Sequence, residues 1–540
     1  LMRKVVDVND ALDFIKDGSV IAVSGFNMAT TPEYLLLKLY ETYRNTGHPR
    51  DLFFVADSLP AARNRALDLV AKLMIEDNDF GFIRGFMLTF LGVAPNLQRL
   101  VIENRVEAYA FPIGVATRWF RNTASRTPTI TKVGLGTFLD PRQDGVYLND
   151  LARERKTCSV DVISINGDEY LVYNCPKPNV GLIRGSAADE YGNLSMSEEA
   201  IYGSVLAIAQ AVKAQPNPGR VFAQVLYVSR FISPRDVHVP GPLIDYVVLS
   251  PPEHHTQSAS IRYDPSVCGR VLLSNVCLPS NDKLDFEYVI ARRVVLEFVS
   301  LIEKLGRPIA VNLGIGIPAL TARVIMNEEL EDYIVMTIES GPWGGVALSD
   351  DDFGVAISPK AIIPMPDQFI IYEGGAIDAA SLGFMQVGPR GDVNPSFLPE
   401  KVTGPGGFPV IAHGSPRLYF AGAFTAGKRD IIISNDRLMI LVDGPIIKFV
   451  NKPYKIGFNA ELGLKMGKEV MYITERAVFR LTNEGLVLEE YAPGVDIEKD
   501  ILSKMEFKPR ISRNLHPMDE SIFREGEVGF RKLVEYAIRH

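Results

Sequence analysis

Tyr333-Ile334-Val335-Met336-Thr337-Ile338-Glu339-Ser340-Gly341-Pro342-Trp343-Gly344-Gly345 is an apolar, β-branched run that stops on one carboxylate and a cluster of glycines. No turn residue interrupts 333–338, so the spacing predicts a buried strand of a parallel sheet. Ligands of open α/β sheets bind outside the carboxyl ends of the strands, which puts Glu339 where chemistry is done. The glycines behind it carry no Cβ and let a substrate approach the backbone. By itself the stretch is equally an ordinary strand end with its Glu in water. The neighbouring segments favour the first reading.

That strand belongs to a phrase that occurs twice. Gly306-Arg307-Pro308-Ile309-Ala310-Val311 repeats the Gly-x-x-Ile-Ala-Val pattern of Gly18-Ser19-Val20-Ile21-Ala22-Val23. Each copy continues into a glycine turn, a helix opened by proline (Pro32, Pro318) and a second strand introduced by aspartate (Asp51, Asp332). In the first copy the second strand is Leu52-Phe53-Phe54-Val55, ending near Asp57 and Ser58. Strand, helix, strand is the unit of a parallel sheet, so the fold class is α/β, with two related open-sheet domains in one chain. The pattern breaks in the polar stretch 279–285. An N-terminal α/β domain is therefore placed at 1–280, and a C-terminal α/β domain carrying Glu339 at 286–520, opening on a helix over 287–304. A C-terminal tail follows at 521–540.

Composition bounds the function. The 540 residues are too many for one core, since domains hold ~100–250 residues. A formal net charge of −8 leaves no basic footprint for nucleic acid or for a membrane surface. No apolar run reaches the ~18 residues that span a bilayer. Leu1-Met2-Arg3-Lys4-Val5-Val6-Asp7 lacks the apolar core of a secretory signal. Cys158, Cys175, Cys268 and Cys277 show no Cys-x-x-Cys spacing and are too few to staple such a chain, which points to a reducing cytoplasm. His238 and the His254-His255 pair have no metal-ligand spacing and read as structural; no metal is expected.

Two chemistries fit the second half. Asn312-Leu313-Gly314-Ile315-Gly316-Ile317-Pro318-Ala319 satisfies Gly-x-Gly-x-x-Ala between a strand and a helix, and Glu339 ends the next strand where a ribose-binding acid would stand. That is a nicotinamide-dependent oxidoreductase. The same parts serve acyl transfer: an ionised carboxylate attacks a thioester without a general base, and the N–H groups of the 314–316 turn supply an oxyanion hole. No Ser-His-Asp elbow, His-Glu-x-x-His or Cys-His arrangement competes. Glycine-rich turns at 133–138 (with Asp140-Pro141-Arg142) and 181–193 read as structural turns, whereas those at 373–378, 404–408 and 421–428 suit either many tight corners or a long ligand laid across several loops.

Taken together, several stretches resemble the class I coenzyme A transferases, particularly the single-chain acyl-CoA:acetate and propionate branch, in collinear order over nearly the whole chain. They are Val133 to Phe138 with Asp140-Pro141-Arg142, Ala188-Asp189 with Gly192-Asn193, Asn312 to Pro318, Glu339-Ser340-Gly341-Pro342 with Gly344-Gly345, Gly404 to Phe408, and Tyr472-Ile473-Thr474-Glu475-Arg476-Ala477-Val478-Phe479. The resemblance implies two α/β halves with the active site between them, and Glu339 as nucleophile. It implies an acyl-glutamyl anhydride and then a glutamyl-CoA thioester, with short-chain carboxylic acids as substrates. The oxyanion hole would be backbone N–H groups of Ile315, Gly316, Gly406 and Gly407. Gly404, Phe408 and Lys428 would contact CoA. Coenzyme A is a substrate, no cofactor is held permanently, and a cytoplasmic homo-oligomer is implied. A non-catalytic CoA-ester binder is the remaining class.

The chain departs from the family in its first half. Gly85-Phe86-Met87-Leu88 stands for Gly-His-Trp-Gly, Ala110-Phe111-Pro112-Ile113-Gly114 for Asn-x-Pro-Gln-Gly, and Trp343 for an aliphatic residue. Phe86, Met87, Phe111, Ile113 and Trp343 are thus the expected acyl-pocket residues, apolar where the family is polar. They suit an acid bulkier or more apolar than acetate, or else a compensating repacking with unchanged specificity, or a loss of transferase activity.

Overall fold

The computed structural model describes residues 4–274, 276 and 283–539; Cys277 and the segment 279–282, where the domain boundary was expected, lie outside the described residues. The chain divides into two compact units that are not contiguous in sequence. The first comprises Leu1–Ser274, Ile338–Ile370 and Pro399–Val410, and the second Asn275–Thr337, Ile371–Leu398 and Ile411–His540.

The first unit is built on seven parallel strands: β1 (Val20–Val23), β2 (Leu52–Val55), β3 (Ile83–Leu88), β4 (Glu107–Ala110), β5 (Val180–Arg184), β6 (Arg220–Val225) and β7 (Tyr246–Leu249), in the order β7-β6-β5-β1-β2-β3-β4. Apolar β-branched and aromatic runs form these strands because helices cover both faces: all four residues of β2 are buried. The repeated phrase is β1, helix α1 (Glu33–Thr46) and β2, with Pro32 at the helix N-cap. Leu35, Leu36 and Leu39 of α1 pack with Phe54, Phe82 and Phe86 in one core. A buried polar network braces the other flank: Arg184 pairs with Glu199 at 2.7 Å, and His255 Nε2 meets the same carboxylate at 3.0 Å.

The second unit repeats the plan. Helix α6 (Phe286–Leu305) is capped by Asp285, whose side chain accepts from the Tyr288 N–H, and leads to β8 (Ile309–Leu313), helix α7 (Ile317–Asn327) and β9 (Ile334–Thr337). The second sheet continues with β10 (Ala379–Gly383), β11 (Arg417–Ala421), β12 (Glu469–Ile473), β13 (Ala477–Thr482), β14 (Gly485–Tyr491) and β15 (Arg510–Pro517), in the order β9-β8-β10-β11-β12-β13-β14-β15. In both units the first strand is interior to the sheet and pairs in parallel with the second. The segment 521–540 closes this core: Ile522, Phe523, Phe530 and Val534 are buried with α6, and the Glu328 carboxylate accepts the Gly529 and Phe530 N–H groups at 2.9 and 3.0 Å.

Cys158 and Cys175, which their spacing leaves unpaired, are joined by a disulfide. Sequence distance hides what the hairpin Ser159–Ile165 with Asp168–Asn174 does: its register sets Ser159 opposite Asn174, so the flanking cysteines face each other.

Phe530→Ala empties a fully buried site that joins the terminal segment to α6. It should cost about 3–5 kcal/mol of unfolding free energy in a denaturant titration of the full chain.

Candidate active site

The loop carrying Glu339 is shaped by close backbone packing. Just past β9 the Ile338 N–H donates to Pro342 O at 2.9 Å and the Gly341 N–H donates back to Ile338 O at 3.0 Å, closing a tight turn around Glu339 and Ser340. Gly341 has φ +129°, and a Cβ there would stand 2.1 Å from Ile363 O, so only glycine permits this turn. Ser340 is fully buried, and its hydroxyl donates to Gly354 O.

The Glu339 carboxylate lies on the backbone of Gly407. A Cβ on Gly407 would sit 2.0 Å from Glu339 Oε2 and 3.2 Å from Phe369 Cζ. The loop that supplies Gly407 is pinned to the carboxyl ends of β3 and β4: Leu91 N–H donates to Thr403 O (2.8 Å), Gly406 N–H to Thr89 O (2.8 Å), and Ile113 N–H to Gly406 O (3.0 Å). This corrects one expectation. The Gly406 N–H is engaged by Thr89 and is not free to face an oxyanion, whereas the Gly407 N–H makes no hydrogen bond with the described residues. Gly404, buried at φ +77°, brings the same loop against the Thr89 backbone.

Electrostatically Glu339 is isolated. The residue as a whole is half-buried, and burial of its carboxyl pushes it up to about 7, with no hydrogen-bond donor among the described residues to offset it. A pocket of donors, which an ionised acid would be expected to need, is not in place. A carboxylate so poorly solvated is instead a stronger nucleophile when it does ionise.

In the second unit the 314–316 turn opens α7, and neither the Ile315 nor the Gly316 N–H is hydrogen-bonded among the described residues. Gly316 has φ +82°, and Ile315 is 63% exposed. Behind the turn Asn312 Nδ2 donates to the Tyr372 hydroxyl (3.1 Å), which also meets Thr337 Oγ1 (2.9 Å), locking β8 to β9. Lys428 is exposed and Phe408 half-buried.

The expected acyl-pocket residues divide. Phe86, Met87 and Phe111 are fully buried and Ile113 nearly so. Alternation along β3 turns Phe86 into the core with Phe54 and Phe82, so its role is packing. Phe111 meets Tyr173 edge-on at 5.2 Å between centroids. Trp343 keeps exposed surface and donates its Nε1–H to Gln368 Oε1 at 2.7 Å. Away from Glu339, Asp140 and Asp189 accept backbone N–H groups of their own glycine turns, so these stretches hold loops rather than ligands.

A second acid stands out only in the structure. Asp57 lies two residues beyond the end of β2, as Glu339 lies two beyond β9. It is buried, and burial pushes its carboxyl up to about 7, with the nearby Ser204 hydroxyl offsetting part of the effect. Its one sequence signal is an acid closing the apolar run of the first repeat copy.

The family described as coenzyme A transferase matches residues 5–250. Over 537 residues the chain is 34% identical to caffeate CoA-transferase of Acetobacterium woodii, covering 97% of this chain and 98% of that one. It is 33% identical to acetate CoA-transferase YdiF of Escherichia coli strain K12, covering 97% and 96%. The crystal structure of the acyl-CoA transferase YdiF of E. coli O157:H7, a thioester complex with CoA, matches with a TM-score of 0.85 at 30% identity, over 98% of this chain and 97% of that one.

The raised Glu339 value has a sign that can be measured. Between the ordinary 4.5 and about 7 the folded chain holds a proton that the unfolded chain has released, so stability falls as pH rises through this window. Glu339→Gln removes that dependence. Its stability advantage over the wild type in denaturant titrations should grow from pH 4.5 to 7 and level off on the order of 3 kcal/mol above it.

Proposed function

The chain belongs to the coenzyme A transferase family, and on that footing we propose that it carries CoA from an acyl thioester to a free carboxylic acid by a ping-pong route through Glu339. The observation that carries this reading is the desolvated carboxylate lying directly on the Gly407 backbone.

In the proposed route a Glu339 oxygen attacks the thioester carbonyl. The C–O bond forms, the C–S bond breaks, and CoA leaves as thiolate from an acyl-glutamyl anhydride. The thiolate then attacks the glutamyl carbonyl, releasing the first carboxylate and leaving a glutamyl-CoA thioester. An incoming carboxylate reverses both steps and departs as the new thioester. Both tetrahedral intermediates need N–H donors; Gly407, Ile315 and Gly316 are the proposed ones. Gly404, Phe408 and Lys428 are the proposed CoA contacts, and Met87, Phe111, Ile113 and Trp343 the proposed apolar surroundings of the acyl chain.

Short-chain carboxylic acids are the proposed substrates, within the range set by relatives named for acetate and caffeate. We place the reaction in the cytoplasm, where CoA thioesters are made and retained, and in a homo-oligomer, as the resemblance implies. Among the described residues no helix is long and apolar enough to cross a membrane. The nicotinamide reading is not favoured: the relatives that match over the full length are CoA-transferases, and the Gly-x-Gly turn serves them as well as it would a dinucleotide.

Incubation with an acyl-CoA, followed by borohydride or hydroxylamine and peptide mapping, should locate modification at Glu339. Acyl-CoA binding without any adduct would leave a non-catalytic binder. Glu339→Gln should abolish transfer, since an amide forms no anhydride; a wild-type rate would refute the mechanism. Gly407→Ala puts a methyl group where Glu339 Oε2 now lies. A displacement of ~1 Å should lower kcat by about 100-fold with the fold intact by circular dichroism.

A further inference from the structure

At the carboxyl edge of the first sheet a group of buried oxygens has no partner. Thr30 Oγ1, Asp57 Oδ2, Thr89 Oγ1 and Ser204 Oγ make no hydrogen bond among the described residues. All four residues are at least nine-tenths buried. Three of them adjoin: a Cβ on Gly203 would stand 3.1 Å from Thr30 Oγ1, and the Ser204 hydroxyl approaches the Asp57 carboxyl without completing a bond. Buried polar groups as a rule find partners, and although orphans occur elsewhere in the chain, three close together mark a place where something else supplies the partners.

Its position relates it to Glu339. Asp57 follows the end of β2, which lies between β1 and β3. The loop after β1 holds one side of the Glu339 turn: Asn27 Nδ2 donates to Phe353 O at 3.2 Å, and the Phe26 ring abuts Gly354, whose carbonyl accepts the Ser340 hydroxyl. The residue after β3, Thr89, holds the other through the Gly406 N–H, next to Gly407 under the carboxylate. Asp57 therefore stands on the strand between the two strand ends that grip the nucleophile. Ser204 also lines a cavity of about 160 Å³ with Arg121, Tyr202, Gly203, His238 and Asp367.

We propose that Asp57, Thr30 and Ser204 form the polar end of the acyl pocket and select carboxylic acids that carry a hydroxyl group on the chain or ring remote from the carboxylate. A hydroxyl both donates and accepts, and this set offers an acid and two hydroxyls that can do the complementary part. The side chains argued above to surround the acyl chain are apolar, so the pocket would hold a hydrophobic stem and recognise its far end. The inference rests on the transferase reading and adds to it the substrate class and its specificity residues. A site built to hydrogen-bond a substrate hydroxyl discriminates strongly against the analogue lacking it, because its own polar groups are then left unpaired.

The test uses full-length protein, one acyl-CoA donor, and pairs of acceptor acids that differ only by the remote hydroxyl. The wild type should prefer the hydroxylated member by at least about tenfold in kcat/KM for one skeleton among aliphatic and aromatic pairs. In Asp57→Asn, and independently in Thr30→Val and Ser204→Ala, that ratio should fall at least about threefold, the change lying in KM for the hydroxylated acid rather than in kcat. Ratios near one for every pair, or a ratio that survives all three substitutions, would overturn the proposal while transfer itself persists; buried water would then be what satisfies the cluster. Absence of transfer to any acid would overturn the transferase reading, and this proposal with it.

Discussion

A carboxylate pressed against a peptide backbone is the constraint on which this protein turns. Glu339 Oε2 occupies space that a Cβ on residue 407 would take, and nothing among the described residues donates to it. The residue keeps part of its surface exposed, yet burial of its carboxyl raises it to about 7, near neutrality rather than far into the ionised range. The turn and this contact both depend on close packing at Gly341 and Gly407.

The rest of the first unit maintains that contact. Parallel strands with both faces covered give a rigid edge, and the loops at the ends of β1, β3 and β4 are tied to the segments around Glu339 and Gly407 by backbone hydrogen bonds and ring packing. Because the ties are mostly backbone-to-backbone, side chains nearby are released to vary.

Much of this was legible beforehand, for definite reasons. β9 and β2 are visible because buried strands are unbroken apolar runs, and the strand-end position of Glu339 because a lone acid closes such a run before glycines. The engagement of Gly406 was not legible, since a glycine pair does not say which N–H faces the chain and which a ligand. Phe86 differed because β3 alternates and its register against β2 and β4 decides which residues face the core. The cysteine pair depended on a hairpin register in the same way. Asp57 carried a signal as good as that of Glu339 in one respect, an acid at a strand end, but it lacked the glycines that made the other conspicuous.

The first compact unit has a consequence for how the protein is made. It takes in residues 338–370 and 399–410, so its last piece leaves the ribosome only after residue 410 of 540. Domains generally fold as units as synthesis proceeds from the N-terminus, but this one waits for strands of its neighbour to be translated first. Until then the edge that packs on the Glu339 turn stands open, exposed to chaperones and proteases. Maturation of the two halves is thereby coupled in time, and a nascent chain arrested before that point carries Glu339 without the glycine loop that packs against it.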